Sequence, residues 1–197
     1  MLYRHDSTSH RLIEFMDTRF SAETDEELFA RLGSRDGEAA FRALYERHAP
    51  RLYAYCARIV GNRDDAKDMF QETFIRMHQQ SKSLTGPVRV APLMYTIARN
   101  LCISHLRGRK QTVPAESAHL AAKDVAIEHT ERARLVQSAI EALPFPYREA
   151  LVLREYDDFS YADIAEIMNI PVATVKVRIF RAKERMRSML APLLQES

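Results

Sequence analysis

Residues 160 to 183 constrain this 197-residue chain more than any other stretch, because they read as two short helices with a stop between them. Ser160 has the side chain of an N-cap, and Asp163 stands three residues on, the spacing of a capping-box pair. Asn169 and Pro171 end that first helix, and Thr174 is placed to cap the second. Val175, Ile179, Ala182 and Met186 recur at helical spacing, an apolar stripe that predicts packing on Ile164, Ala165 and Ile167. The opposite face carries Lys176, Val177, Phe180, Arg181 and Lys183. A large aromatic among cations is out of place on a merely solvated surface but suits a DNA groove. There cations meet phosphates or guanine edges, and apolar side chains lie against sugar or a thymine methyl. The outline is that of a helix-turn-helix. The competing reading puts Phe180 in a second core seam.

Glycine is sparse, β-branched alternation is hard to find and segments of 3.6-residue period dominate, so an all-α protein of two small helical domains is expected. A net charge of +2 argues against a tail-driven binder and for basic patches on particular faces, one after Thr174 and one at Arg99, Arg107, Arg109 and Lys110. No apolar run approaches the ~18 residues of a membrane span, and the N-terminus lacks the apolar core of a signal peptide, so no membrane insertion and a cytoplasmic location are expected. Cys56 and Cys102 have no CxxC partner, which predicts reduced, buried thiols rather than a zinc site or disulfide framework. The seven histidines show no metal-ligand spacing, and there is no phosphate loop or nucleophile elbow. No metal, no cofactor and no enzymatic activity are expected.

Along the chain, residues 1–24 form an extension in which Leu12, Ile13, Phe15, Met16 and Phe20 could make a short amphipathic helix. Three helices are expected next: one near Glu26 to Leu32, one through Phe41, Leu44, Tyr45, Leu52, Tyr55, Cys56 and Ile59 broken at Pro50, and one from Asp64, with Gly61 as the preceding stop. Ser81 to Pro92 reads as a loop, and Leu93 to Arg107 as a helix with Met94, Ile97, Ala98 and Leu101 on one face. The domain thus spans 25–111, followed by a linker, 112–130, rich in Pro, Ala, Ser and mixed charge. A second domain, 131–197, breaks at Pro144 and Pro146 and ends in the helix-turn-helix. On the helix from Asp64, Ala66, Phe70, Thr73, Phe74 and Met77 face inward while Asp68, Glu72, Ile75 and Gln79 line up outward. That acidic stripe with one apolar residue suits a basic helical partner. An ordinary solvated face is the alternative.

Four blocks together resemble bacterial sigma factors of the short extracytoplasmic-function (ECF) group of the sigma-70 family. They are Asp65-Ala66-Lys67-Asp68-Met69-Phe70-Gln71-Glu72-Thr73-Phe74, Tyr95-Thr96-Ile97-Ala98-Arg99-Asn100, Leu143-Pro144, and the segment from Thr174-Val175-Lys176 through Phe180-Arg181-Ala182-Lys183. The resemblance covers about 25–110 (sigma region 2) and 131–191 (sigma region 4). It implies a protein that binds core RNA polymerase, through the β′ clamp coiled coil and the β flap, and directs it to promoter DNA. Asp68, Gln71, Glu72 and Ile75 inherit the polymerase-binding role. Ser81 to Arg89 and the helix after it resemble the reader of the minus-ten strand, with Tyr95, Arg99, Asn100 and Arg107 near that strand and an unstacked base held in a loop pocket. Thr174, Lys176, Val177, Phe180, Arg181 and Lys183 match the reader of the minus-thirty-five duplex. An anti-sigma factor is the implied regulator, clamping both domains, and roughly nineteen linker residues would reach about 60 Å at ~3.3 Å each.

The chain departs from the family pattern in three places: Leu93-Met94-Tyr95 stands for Trp-Leu-Tyr, Ser104 for Asp and Ala173 for Gly. The first bears on core packing under the minus-ten loop, and Ser104 and Ala173 bear on fine promoter preference rather than on mechanism. A stand-alone helix-turn-helix regulator is the second reading, and it requires duplex binding by 131–197 alone. A nucleic-acid-processing enzyme would need a metal or nucleophile constellation that the sequence lacks.

Overall fold

The computed structural model describes residues 22–112 and 131–195, which form eight helices and no strand. The expected helix around Leu12 to Phe20 and nearly all of the expected linker lie outside the described residues. Helices α1 (Asp25–Arg31), α2 (Gly37–Val60), α3 (Arg63–Ser81) and α4 (Val90–Thr112) make the first unit. Helices α5 (Glu131–Ala142), α6 (Phe145–Glu155), α7 (Tyr161–Met168) and α8 (Val172–Gln195) make the second.

Local chemistry sets the helix ends. Thr24 caps α1 in a full capping box with Glu27, whose carboxylate accepts from the Thr24 N–H at 2.7 Å. Asp25, in the first turn, accepts from Arg47 at 2.8 Å and meets His48 at 2.7 Å. The hydrogen bond to His48, followed by the Arg47 contacts, outweighs partial burial and holds this carboxyl down at about 2. Gly37 starts α2 where a Cβ would stand 2.4 Å from the Leu32 carbonyl oxygen, so only glycine fits the tight entry. Gly61 closes α2 at φ 72°, and Asn62 caps α3 by accepting from the N–H groups of Asp64 and Asp65. Ser160 and Asp163 form the expected capping box on α7, and Asn169 ends that helix at φ 50°.

Three boundaries differ from the sequence expectation. Pro50 does not break α2, which runs through it from Gly37 to Val60. The ring removes one backbone hydrogen bond, but Leu44, Leu52, Tyr55, Cys56 and Ile59 are all fully buried on either side, and their continuous stripe holds the helix together across the gap. Helix α4 starts at Val90 rather than Leu93, with Pro92 tolerated in the first turn, where no intrahelical N–H is needed. Thr174 is not a cap. Helix α8 begins at Val172, and the Pro171 carbonyl accepts from the N–H groups of both Thr174 and Val175, so Thr174 sits inside the first turn.

The protein is all-α, two small helical units whose buried side chains make one contiguous core. In the first unit, Phe41, Tyr45, Phe70 and Phe74 pack in edge-to-face and tilted pairs between α2 and α3, with ring centroids 4.9–5.9 Å apart across helices. Cys56 and Cys102 are free and buried side by side between α2 and α4. In the second, Ile164, Ile167 and Met168 of α7 close on Val175, Ile179 and Ala182 of α8, as the apolar stripe requires. Arg148 ties the units together: it donates to the carbonyl of Ile59 at the end of α2 and to those of Glu141 and Leu143 before α6.

Candidate nucleic-acid interface

The α7–α8 pair presents the face read from the sequence. Val177 is 57% exposed and Phe180 55%, so Phe180 does not belong to a second core seam. Around them Lys176 is exposed, Arg181 pairs with Glu184 at 3.1 Å, and Lys183 reaches Glu155 at 2.8 Å. Both pairs are more than a third exposed, so each adds little to stability and leaves its cation available to a stronger anion. Thr174 is half-buried at the start of the face. Two further exposed residues border it, Tyr161 and Val172. Arg154 lies over the Tyr161 ring at 5.1 Å and Lys176 at 6.0 Å. Tyr161 directly follows the capping serine, a position at a helix N-terminus that periodicity does not score, which is why pattern reading missed it.

On α3 the outward stripe is likewise open. Asp68, Gln71 and Ile75 are exposed, Ile75 to 51%, while Glu72 is half-buried and held by Arg76 at 2.7 Å. Tyr45 of α2 is 41% exposed and packs against Phe74 with the rings tilted at 48°, so it extends this surface toward α2. In the sequence it reads as one of the apolar positions of this helix, and the structure leaves it partly open.

The residues assigned to the minus-ten strand divide into two sets. Asn100 and Arg107 are exposed on α4. Tyr95 and Arg99 are not. Tyr95 is 3% exposed, its hydroxyl donating to Asp157 at 2.7 Å and its ring 4.7 Å from that of Phe159. Arg99 donates to Glu149 at 2.5 Å, and that carboxylate is 1% exposed. The cause is register: positions 95, 98, 99 and 102 share the stripe of α4 against which the second unit packs, whereas 100 and 107 lie on another. Burial pushes the Glu149 carboxyl up, opposed by Arg99. Burial likewise raises Asp157, to about 6, although Tyr95, Arg58 and Arg51 all favour its charge. Tyr95 is raised in turn, by burial and then by the Asp157 charge.

Ahead of α4, the loop from Ser81 and the edge of α1 enclose a cavity of about 480 Å³ lined by Glu26, Glu27, Phe29, Ala30, Ser81, Leu84, Gly86, Pro87 and Val88. Gly86 sits at φ 99°, a conformation that side-chain-bearing residues rarely adopt. The cavity joins an apolar wall to two carboxylates at its rim.

Two family models match the chain in this order: Sigma-70 region 2 over residues 44–112 and Sigma-70, region 4, over residues 133–186. The RNA polymerase sigma-H factor of Pseudomonas aeruginosa is 36% identical over 190 residues, which cover 89% of this chain and 98% of that relative. The chain belongs to the sigma-70 family. Within it, the ECF sigma factor SigW of Bacillus subtilis is 34% identical over 169 residues, covering 78% of this chain and 90% of SigW. Among solved structures, the sigma factor RpoE of Bartonella quintana, in complex with the anti-sigma factor NepR, superposes with a TM-score of 0.67 at 26% identity, covering 77% of this chain and 96% of RpoE. CnrH in complex with the cytosolic domain of CnrY shares the fold, with a TM-score of 0.65 at 21% identity over 86% of this chain and 99% of CnrH. The protein is an ECF-type sigma factor acting in transcription initiation, and the reading as a stand-alone regulator is not favoured. Among the described residues no helix is long and apolar enough to cross a membrane.

Proposed function

We propose that this sigma factor docks on core RNA polymerase through the outward face of α3 and reads promoter DNA with α4 and α8. The observation that carries the reading is the pair of solvent-facing surfaces. Asp68, Gln71 and Ile75 stand open on α3, and Val177 and Phe180 stand open among cations on α8, although apolar side chains of that size are ordinarily buried. On α3, Asp68 and Glu72 meet basic groups of the β′ clamp coiled coil while Ile75 and Tyr45 lose solvent on contact. On α8, Lys176, Arg181 and Lys183 neutralise phosphates or donate to guanine edges of the minus-thirty-five duplex, and Val177 and Phe180 lie against sugar or a thymine methyl, with Thr174 contacting the backbone. Asn100 and Arg107, with Tyr95 and Arg99 once uncovered, follow the minus-ten strand. The cavity beside Leu84 and Pro87 receives an unstacked base, whose exocyclic amine would find acceptors in Glu26 and Glu27. The second unit also contacts the β flap, an anti-sigma factor holds the protein inactive, and the whole acts in the cytoplasm, where polymerase works.

The test is core binding and promoter-directed transcription from a random promoter library. Glu72→Lys reverses charge on the α3 surface, beside Arg76, and is expected to abolish binding to core polymerase while the circular dichroism spectrum and melting temperature stay unchanged. Unchanged affinity for core contradicts the α3 assignment.

A further inference from the structure

Cys56 on α2 and Cys102 on α4 are the two cysteines of the chain, both fully buried, and neither belongs to the faces proposed for docking or for reading DNA. Their side chains meet where α2 packs on α4 and share a hydrogen bond. Two thiols already in contact from facing helices can join with little backbone movement, which a pair set wide apart cannot. In a reducing compartment such a bond is transient, formed under an oxidant and undone afterwards. We propose that Cys56 and Cys102 close into a reversible disulfide when a hydroperoxide reaches the core, and that this bond staples α4 to α2 until a cellular dithiol reopens it.

One sulfur, as thiolate, attacks the peroxide: an S–O bond forms, the O–O bond breaks, and the displaced oxygen leaves with a proton as water or an alcohol. The sulfur is oxidised to a sulfenic acid and the peroxide is reduced. The second sulfur then attacks the sulfenic sulfur, making the S–S bond and breaking the S–O bond, and hydroxide takes its proton away as water. The dithiol reverses this through a mixed disulfide, returning both hydrogens to the cysteines and leaving as its own disulfide. Cys102 is held protonated, first by its hydrogen bond with Cys56 and then by burial, so at rest the pair resists chance oxidation and reacts during brief openings of the core. Between the two cysteines lie the whole of α3 (Arg63–Ser81) and the loop that lines the cavity, so the disulfide closes a covalent loop around both. Cross-linking there restricts the unfolded chain and thereby stabilises the first unit. Because both sulfurs are buried, Asp68, Gln71 and Ile75 on α3 and Asn100 and Arg107 on α4 stay exposed in the stapled form. The staple therefore hardens the unit under an oxidant without covering its surfaces.

The test treats the full chain with hydrogen peroxide in native buffer, well below its melting temperature, then blocks remaining thiols with N-ethylmaleimide in denaturant and reads the intact mass. The expected product, building over roughly an hour, is a monomer lighter by two hydrogen atoms and carrying no maleimide. With two cysteines in the chain, that mass assigns the bond to Cys56 and Cys102 without further mapping. The melting temperature of the oxidised chain should rise by about 5–15 °C and return to its starting value after dithiothreitol. Cys56→Ser and Cys102→Ser should each lose both the mass change and the peroxide-dependent rise. If either variant folds poorly, reversal by dithiothreitol in the unaltered chain decides alone. Two maleimides on the treated chain overturn the proposal, as do oxygen atoms added without a cross-link, a covalent dimer in place of the lighter monomer, or a bond that forms only when urea is present. A cross-linked monomer whose melting temperature is unchanged or lower overturns it as well, since the bond would then strain the α2–α4 packing instead of stapling it.

Discussion

Acidification should strengthen the packing of the two units, and Asp157 supplies the largest readable part of that effect. Its carboxyl is raised by burial from an ordinary 3.8 to about 6, against the favourable charges of Arg58 and Arg51 and the hydrogen bond from Tyr95, with the Asp158 charge raising it further. A raised carboxyl binds its proton more readily in the packed state than in the unfolded one. The contribution is therefore fully present below about 4 and is lost as pH climbs through about 6. The interval between the two values corresponds to at most about 3 kcal/mol. Glu149 shifts in the same direction through burial, so removing Asp157 takes away only part of the slope. Asp25 and Asp163, both held low, act with the opposite sign, and their contributions vanish as pH falls through the low values at which they protonate. Urea unfolding at pH 5, 6 and 7.5 reads the balance. The unaltered chain should lose stability between pH 5 and 7.5. Asp157→Asn keeps an acceptor for the Tyr95 hydroxyl without the charge, so it should show a shallower slope and greater stability at pH 7.5. Parallel pH profiles for the two proteins would refute the reasoning, because then the Asp157 carboxylate is not paying a burial cost in the packed state.

Two other substitutions separate surface function from fold. Phe180→Ala removes a ring that is 55% exposed and should change unfolding free energy by no more than about 0.5 kcal/mol, while promoter-directed transcription falls severalfold. A melting temperature several degrees lower would instead return Phe180 to the core. Asn169→Ala forces an alanine into the left-handed turn at φ 50° and should cost about 1–2 kcal/mol by urea denaturation, whereas Asn169→Gly should be nearly neutral. Equal losses in the two variants would mean that the Asn169 side chain, not its backbone conformation, holds the turn.

The helix-turn-helix was legible because every signal in it is local. Ser160 and Asp163 lie three residues apart, Asn169 supplies its own left-handed stop, and the Val175, Ile179 and Ala182 stripe requires only helical periodicity to find its partners on α7. The outward face of α3 was legible for the same reason. Pro50 and Pro92 misled because a proline's local preference is weak beside the burial of a continuous stripe of core side chains, as α2 shows by continuing through its own. Thr174 misled because any hydroxyl near a helix start resembles a cap, and here the Pro171 carbonyl already takes the first amides. Tyr45 read only as an apolar position of α2, because its exposure depends on packing with α3, and Tyr161 went unscored because it stands at a helix N-terminus where periodicity gives no signal.

By itself, then, the order of residues determined eight helical tendencies, the two faces that stay wet and the sigma-factor blocks that carry them, since capping, periodicity and charge act over a few residues. What only the packed molecule decided is the fate of Tyr95 and Arg99. Their partners Asp157 and Glu149 are 62 and 50 residues away, and nothing in the local pattern of α4 distinguishes an arginine awaiting a phosphate from one already held by a buried carboxylate. That distinction rests on desolvation and charge pairing across the seam, which exist only once the two units have met.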